Sequence, residues 1–182
     1  MVLVGKDCFN VVGLLAAVLT FGACSASTTA GQQVLAVEMY GVPQTPAGAS
    51  GTEDPRYEIY TLSGVEFSDS DGNLTTLYSG ADAAEVRIVN RPQIIYSKDI
   101  ADLNGNTYAS AKLTFNATVS AASKTNTDEL SFSLTNPSPQ HSATFKVEEG
   151  KGLVIITKVK WKNTASDGAF SEPELSLSID TE

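Results

Sequence analysis

The chain has 182 residues, a formal net charge of −9 and a sequence pI of about 4.5. An acidic surface repels phosphate backbones and anionic lipid headgroups, so neither nucleic acid nor a membrane contact through basic residues is expected. The length suits one domain that folds without a disulfide, a metal or another cofactor. Because Cys8 and Cys24 are the only cysteines, no disulfide or cysteine-ligated zinc site is expected in the rest of the chain.

Residues 1–23 have the succession of regions that is typical of a secretory signal peptide. Lys6 lies in a short first region, and an apolar run follows over residues 11–19. The run is shorter than the ~20 apolar residues of a transmembrane helix, and it has the length of a signal-peptide core. Two small residues then stand directly before Cys24. This order predicts that the chain is exported.

The residues Phe21-Gly22-Ala23-Cys24 resemble the lipobox of bacterial lipoprotein precursors, with Phe21 where that family usually has Leu. The resemblance implies cleavage before Cys24 and acylation of that cysteine with chains of the palmitate type. Several acyl chains form a nearly permanent anchor, since each buried CH₂ adds about 0.8 kcal/mol. Two alternatives stay open: an ordinary signal peptide cut nearby, with Cys24 unmodified or lost, and an uncleaved anchor.

The residues after the cysteine bear on where the protein is delivered. Ser25 is similar to the pattern of lipoproteins that are passed on to the outer membrane or cell surface. Residues 24–33 are therefore interpreted as a lipidated N-terminus and a flexible tether of small and polar residues. The folded domain is expected to occupy residues 34–182.

From Val34 onward the apolar residues recur with a period of two, which is the pattern of β-strands. Asp71-Gly72 between apolar runs predicts a tight hairpin, and residues 81–84 could form one helical turn at most. The segments with strand character are 34–40, 57–67, 74–78, 85–89, 93–96, 107–119, 130–134, 143–147, 153–162 and 175–179. The pattern predicts an all-β fold, a single antiparallel β-sandwich of about 7–10 strands. Residues 43–55 form a long loop of undetermined role.

The strand layout is similar to that of uncharacterised bacterial envelope lipoproteins with a transthyretin-like sandwich. In that family the middle segment usually reads Pro-Ala-Gly-x-Tyr before the longest strand. This chain has Asn104-Gly105-Asn106-Thr107-Tyr108 and keeps the Gly and the Tyr. The resemblance would cover residues 34–163 and implies a fold and an envelope role, with no defined activity. An immunoglobulin-like sandwich is the other form that the strand pattern allows.

The segment 107–119 alternates between an apolar and a polar face. Its apolar face is expected to hold Ala109, Ala111, Leu113, Phe115 and Ala117, and its polar face Tyr108, Ser110, Lys112, Thr114 and Asn116. Trp161 lies on an apolar face and is expected in the core. Five tyrosines are candidates for a sugar- or peptide-binding platform: Tyr57, Tyr60, Tyr78, Tyr96 and Tyr108.

One group of residues is a weak candidate for a calcium site. Asp69, Asp71 and Asn73 offer oxygen ligands at alternate positions. An EF-hand loop would need Gly and Glu where this chain has Leu74 and Gly80, so that motif is absent. A hairpin turn with Asx hydrogen bonds is the favoured interpretation, and no metal site is expected.

Catalytic chemistry has few candidates in this sequence. His141 is the only histidine, it lies in a Pro-rich segment, and no Gly-x-Ser-x-Gly motif supplies a nucleophile. His141 is therefore expected to be an exposed loop residue. Surface charges are the expected role of the acidic residues, and Lys158, Lys160 and Lys162 are expected to line one strand face.

Together these features predict a non-enzymatic, lipid-anchored protein of the cell envelope with a binding or structural role. Its expected partners are the membrane, through the lipid anchor, and a glycan or another envelope protein. A carbohydrate-binding or adhesion module is one alternative. A second alternative is a subunit of a surface fibre that assembles by strand addition, with the tether or the final strand as the donor.

Overall fold

The structure is a computed structural model that describes residues 33–41, 55, 57–87, 92–122, 129–163 and 170–181. The expected signal peptide, Cys24 and nearly all of the tether lie outside these ranges, as does most of the loop 43–55. Within the described ranges, no helix has the length and apolar character needed to span a membrane.

The described residues form strands almost throughout, and the predicted all-β sandwich is confirmed. A short 3₁₀ helix over Ala101–Leu103 interrupts the series of strands. The strands are β1 (Val34–Gly41), β2 (Tyr57–Ser68), β3 (Leu74–Arg87), β4 (Gln93–Asp99), β5 (Thr107–Tyr108), β6 (Ser110–Phe115), β7 (Thr118–Ala122), β8 (Glu129–Ser133), β9 (Gln140–His141), β10 (Phe145–Lys146), β11 (Leu153–Asn163) and β12 (Phe170–Thr181).

The first sheet has the strand order β12-β11-β1-β4. The strand β1 lies between two neighbours, antiparallel to β4 and parallel to β11, with Leu35 opposite Leu153 and Gly41 opposite Val159. This inner position explains why β1 is apolar on both of its faces, as the sequence predicted for a central strand. Among the described residues, β1 and β11 pair in parallel and all other paired strands are antiparallel.

The second sheet is built around β2. The strand β3 pairs with β2 along nearly its whole length, while β6 and β7 share the opposite edge of β2. The strands β8 and β9 extend the sheet beyond β7 and β6, respectively. Residues 81–84, for which the sequence allowed a helical turn, belong to β3 instead, because their backbone pairs with β2.

A β-bulge in β2 changes which side chains of this strand face the core. The pairing of β2 with both β3 and β6 shifts between Leu62 and Gly64. Before the bulge the even-numbered side chains Glu58, Tyr60 and Leu62 are buried, and after it Val65 and Phe67 are buried. An extra residue on one strand of a pair produces this change of face.

The core lies between the two sheets and is mostly aliphatic, with aromatic groups near each end of β2. At one end Phe67 packs against Phe145 and Tyr108, with ring centroids 5.0 Å apart in both pairs. Tyr108 is only 4% exposed, so its predicted position on a polar face is wrong. The strands β5 and β6 are interrupted at Ala109, so Tyr108 does not follow the alternation of β6.

The rest of the predicted apolar face in this segment is partly confirmed. Ala111, Leu113 and Phe115 are buried, as expected. Ala117 is exposed and Ala109 is half-buried, because the alternation is interrupted before β6 and again before β7. A single long strand over 107–119 is thus replaced by three shorter ones.

The two ends of the sandwich are defined by which strand ends lie there. The start of β1 and the end of β12 lie at one end, which we call the entry end, because both pair with the start of β11. The end of β11 marks the far end, and the start of β2 lies there too, because Trp161 contacts Glu58. Among the described residues, the ends of β1, β3 and β7 and the starts of β4, β8 and β12 also lie at the far end.

Candidate functional site

A pocket with a mixed polar and apolar lining lies on the outer face of the second sheet, where β2, β3, β6 and β9 are neighbours. Its volume is about 160 Å³, and it is half open to solvent. Strand register places its side chains in two rows across the sheet. The first row contains Gln140, Lys112 and Glu66, and the second contains Ser110, Ser68 and Leu74.

The pocket combines charged, neutral polar and apolar groups. Lys112 Nζ donates to Glu66 Oε2 at 3.0 Å, and the two side chains are 41% and 25% exposed. Ser110 lines the pocket although it is only 8% exposed. Leu74 is 66% exposed and forms an apolar wall beside these polar groups. The site therefore offers hydrogen-bond donors and acceptors next to a hydrophobic surface.

His141 follows a pocket residue but belongs to the other side of its strand. It is half-buried in β9, where it pairs with Ala111, so the predicted exposed loop position is wrong. Successive side chains of a strand point to opposite faces, which places His141 away from the pocket that Gln140 lines. The Ser110 hydroxyl and the imidazole consequently do not converge in this pocket.

The turn between β2 and β3 has the Asx hydrogen bonding that the sequence favoured. Asp69 Oδ1 accepts from the backbone N–H groups of Asp71 and Asn73, each at 2.9 Å. Asp69 Oδ2 accepts from Asn73 Nδ2 at 2.8 Å, and Gly72 has a φ of 83°. Hydrogen bonds from the Asn73 side chain and from the turn's backbone N–H groups lower the pKa of Asp69.

These contacts bear on the candidate calcium ligands. Both carboxylate oxygens of Asp69 are engaged by turn donors, and Asn73 turns its amide nitrogen towards Asp69. The described residues contain no group of three or more His, Cys, Asp or Glu side chains arranged to hold a metal ion. The geometry of Asp69, Asp71 and Asn73 is that of a hydrogen-bonded turn.

The tyrosines do not form the platform that the sequence suggested. Tyr60 and Tyr108 are 1% and 4% exposed and belong to the core. Tyr78 and Tyr96 pack against each other with ring centroids 4.8 Å apart and are half-buried. Tyr57 donates to Glu129 Oε1 at 2.9 Å. No set of exposed tyrosine faces is gathered on one surface of the described residues.

A buried polar cluster lies at the far end of the core, and the sequence analysis did not single it out. Glu58 is fully buried, and its Oε1 accepts a hydrogen bond from Trp161 Nε1. Trp161 is 1% exposed, as predicted for a core residue, and its ring meets Phe132 edge-on at 5.1 Å. Burial and the neighbouring charge of Glu58 raise the pKa of Tyr60 well above its ordinary value.

The remaining charged residues mostly behave as surface groups. Lys158 and Lys160 are exposed on the outer face of the first sheet, and Lys158 Nζ lies 6.0 Å from the ring centroid of Tyr40. The side chain of Lys162 lies outside the described residues. Glu148 forms an ion pair with Lys151, which lowers the pKa of that carboxyl group.

Sequence reasoning identified part of the pocket without recognising it as a site. The alternation along 107–119 placed Ser110 and Lys112 on one polar face, which agrees with their position in the pocket. The partners Glu66 and Gln140 come from strands 44 and 30 residues away from Ser110, and no local signal in the sequence indicates that these strands are neighbours.

We compared the chain with known proteins by sequence and by structure. No protein-family model, curated protein or solved structure was found to match it.

Proposed function

We propose that this chain is a lipid-anchored protein of the bacterial cell envelope whose β-sandwich has a binding or structural role. The observation that carries the proposal is the ending Phe21-Gly22-Ala23-Cys24 after an apolar run, with a short polar segment between it and β1. Acylation of Cys24 would hold the entry end of the sandwich towards the membrane, in the outer membrane or at the cell surface.

The way the chain enters the sandwich supports this arrangement. The first residues of β1 lie in an inner strand that is bonded on both sides, by β11 and by β4. The backbone of Gln33 extends this attachment, since its carbonyl accepts from Ile100 N at 2.9 Å. A force applied through the tether would therefore act on a strand that is hydrogen-bonded to both β11 and β4.

The far end of the sandwich is separated from the entry end by the length of β11. Eleven strand residues span about 36 Å at ~3.3 Å per residue. With an anchor at Cys24, the strand ends at the far end would be held away from the membrane.

The fibre alternative requires a strand that can be donated. The final strand β12 pairs with β11 over eleven positions within its own sheet, so it would have to leave that sheet to act as a donor. β12 also carries Pro173 and the exposed charges of Glu174 and Asp180, features that discourage pairing at a sheet edge. These observations favour the anchored single-copy protein.

The anchor is tested by metabolic labelling with an alkyne-bearing fatty acid, followed by detection of the label on the purified chain. We expect incorporation in the parent chain, none in Cys24→Ser, and unchanged incorporation in the matched variant Cys8→Ser. Labelling is a better readout than membrane association, because an uncleaved signal peptide would also keep the Cys24→Ser chain in the membrane fraction. An unlabelled parent chain, or a labelled Cys24→Ser chain, would refute the anchor.

A further inference from the structure

We propose that the pocket lined by Glu66, Lys112, Ser110, Gln140 and Leu74 binds a neutral sugar ring of a polysaccharide. This inference names the ligand class of the binding role proposed above and rests on that proposal.

The charge balance of the pocket selects for an uncharged ligand. Its one cation and one anion, Lys112 and Glu66, neutralise each other at 3.0 Å. An anionic ligand would have to compete with Glu66 for the ammonium group, and a cationic ligand with Lys112 for the carboxylate. The formal charge of −9 on the whole chain further disfavours anions. A neutral ligand meets neither obstacle.

The hydrogen-bonding groups suit a molecule with neighbouring hydroxyls. Lys112 has three N–H donors and gives one to Glu66, which leaves two for a ligand. Glu66 Oε1 is an acceptor, and the Gln140 amide both donates and accepts. The adjacent positions of Glu66, Lys112 and Gln140 in one row across the sheet bring these donors and acceptors side by side. Hydroxyl groups on neighbouring ring carbons can use both kinds of partner at once.

The size and the wall of the pocket agree with a single ring. A volume of about 160 Å³ corresponds to roughly five waters at ~30 Å³ each, which is the space of one small ring and not of a drug-sized ligand. Leu74 is 66% exposed beside this space, and it can cover the C–H face of a sugar. Ser110, which is 8% exposed, also lines the pocket.

The shallow shape indicates weak binding of one ring and a dependence on repeated rings along a polymer. A half-open pocket leaves much of the ligand in water, so affinities near the millimolar range, about −4 kcal/mol, are expected for a single unit. The pocket lies towards the entry end, beside the turn that follows Ser68. An anchored chain would therefore meet polysaccharides of the envelope or of its immediate surroundings.

The test is affinity electrophoresis of the full chain, purified in a detergent without a sugar headgroup, through native gels that contain a polysaccharide. The neutral probes are dextran, mannan, xylan and laminarin, and alginate is the acidic probe. The variants Lys112→Met and Gln140→Ala should weaken retardation by about tenfold, which is the effect of losing one or two hydrogen bonds. The matched control Lys158→Met makes the same charge change on the other sheet and should behave like the parent chain.

Retardation by at least one neutral polysaccharide that is weakened in Lys112→Met and Gln140→Ala, and kept in Lys158→Met, supports the proposal. Retardation by alginate alone, equal retardation of parent and pocket variants, or no retardation of a folded parent chain overturns it. Circular dichroism is the check that each variant is folded. The fatty-acid label on Cys24 is read separately, so a chain that is acylated but binds no neutral glycan refutes this inference and leaves the anchor standing.

Discussion

Two glutamates on the same strand have opposite environments. Glu58 is fully buried and accepts a hydrogen bond from Trp161, whereas Glu66 lies on the outer face and pairs with Lys112. The two residues are eight positions apart, and a regular strand would put both side chains on the same face. The β-bulge between Leu62 and Gly64 places them on different faces. One extra residue thus separates a carboxylate of the core from a carboxylate of the candidate site.

The comparison shows that strand register, and not residue type, assigns each glutamate its role. A buried carboxylate needs compensating hydrogen bonds, so Glu58 connects the two sheets through the indole of Trp161. A partly exposed carboxylate such as that of Glu66 remains accessible to a ligand. Changes at the bulge, in the core and in the pocket should therefore have effects of very different size.

The largest effect is expected from Phe67→Ala, a change in the part of β2 that follows the bulge. The bulge turns Phe67 into the core, where it packs against Phe145 and Tyr108 with ring centroids 5.0 Å apart. Loss of a buried phenylalanine ring costs about 3–5 kcal/mol. We expect a loss of this size in the free energy of unfolding, measured by a denaturant titration.

The control for this substitution is Gly64→Ala. A Cβ at Gly64 would lie 3.5 Å from Thr114 Cβ, an ordinary contact, so the substitution should change the free energy of unfolding by no more than about 1 kcal/mol. A Phe67→Ala chain with the parent's stability would show that the bulge does not turn Phe67 into the core.

The next largest effect is expected from Trp161→Phe. This change removes the indole N–H that donates to buried Glu58 and part of the contact with Phe132. Loss of a donor to a buried carboxylate, together with a small cavity, should lower the free energy of unfolding by about 3 kcal/mol in a denaturant titration. Tyr57→Phe removes a more exposed hydrogen bond to Glu129 and should cost less than about 1 kcal/mol. Equal losses in both variants would contradict a special role for the buried pair.

A smaller, pH-dependent effect is expected from Tyr60. Its pKa is raised in the folded chain, so its contribution to stability is complete below the ordinary pKa of about 10 and is lost as the pH rises through the folded-state value. Tyr60→Phe keeps the ring beside Phe115 and removes the hydroxyl that ionises on alkaline unfolding. The substitution should therefore shift the midpoint of alkaline unfolding to a higher pH. Tyr57→Phe should leave this midpoint unchanged, and a downward shift in Tyr60→Phe would contradict the burial argument.

The smallest effect on stability is expected at the pocket. The pair of Lys112 with Glu66 is partly exposed, and such ion pairs contribute about 0–1 kcal/mol. Thermal unfolding of Lys112→Met should therefore be close to that of the parent, even though its glycan retardation is weakened. A loss as large as that of Trp161→Phe would mean that Lys112 has a structural role.

The sequence was sufficient for the elements that depend on local alternation and turn chemistry. The apolar positions Ala111, Leu113 and Phe115 are in the core, and the Asp69 turn forms the expected Asx hydrogen bonds. Tyr108 was misassigned because the alternation was continued through the break at Ala109. Alternation is a reliable guide only within one uninterrupted strand.

The candidate site could not be predicted because it depends on which strands are neighbours. Ser110 and Lys112 were placed on one polar face, but Glu66 and Gln140 join them only through the pairing of β6 with β2 and β9. The bulge was also not anticipated, although Gly64 within a strand is a signal for one. The buried position of Glu58 follows from that same change of face.

Intact mass spectrometry of the protein extracted from its native membrane would show whether Cys24 carries the lipid anchor. We expect a mature chain that begins at Cys24 and carries the added mass of its acyl chains. A chain without acyl groups, cut near the same position and recovered from the soluble fraction, would refute the anchor.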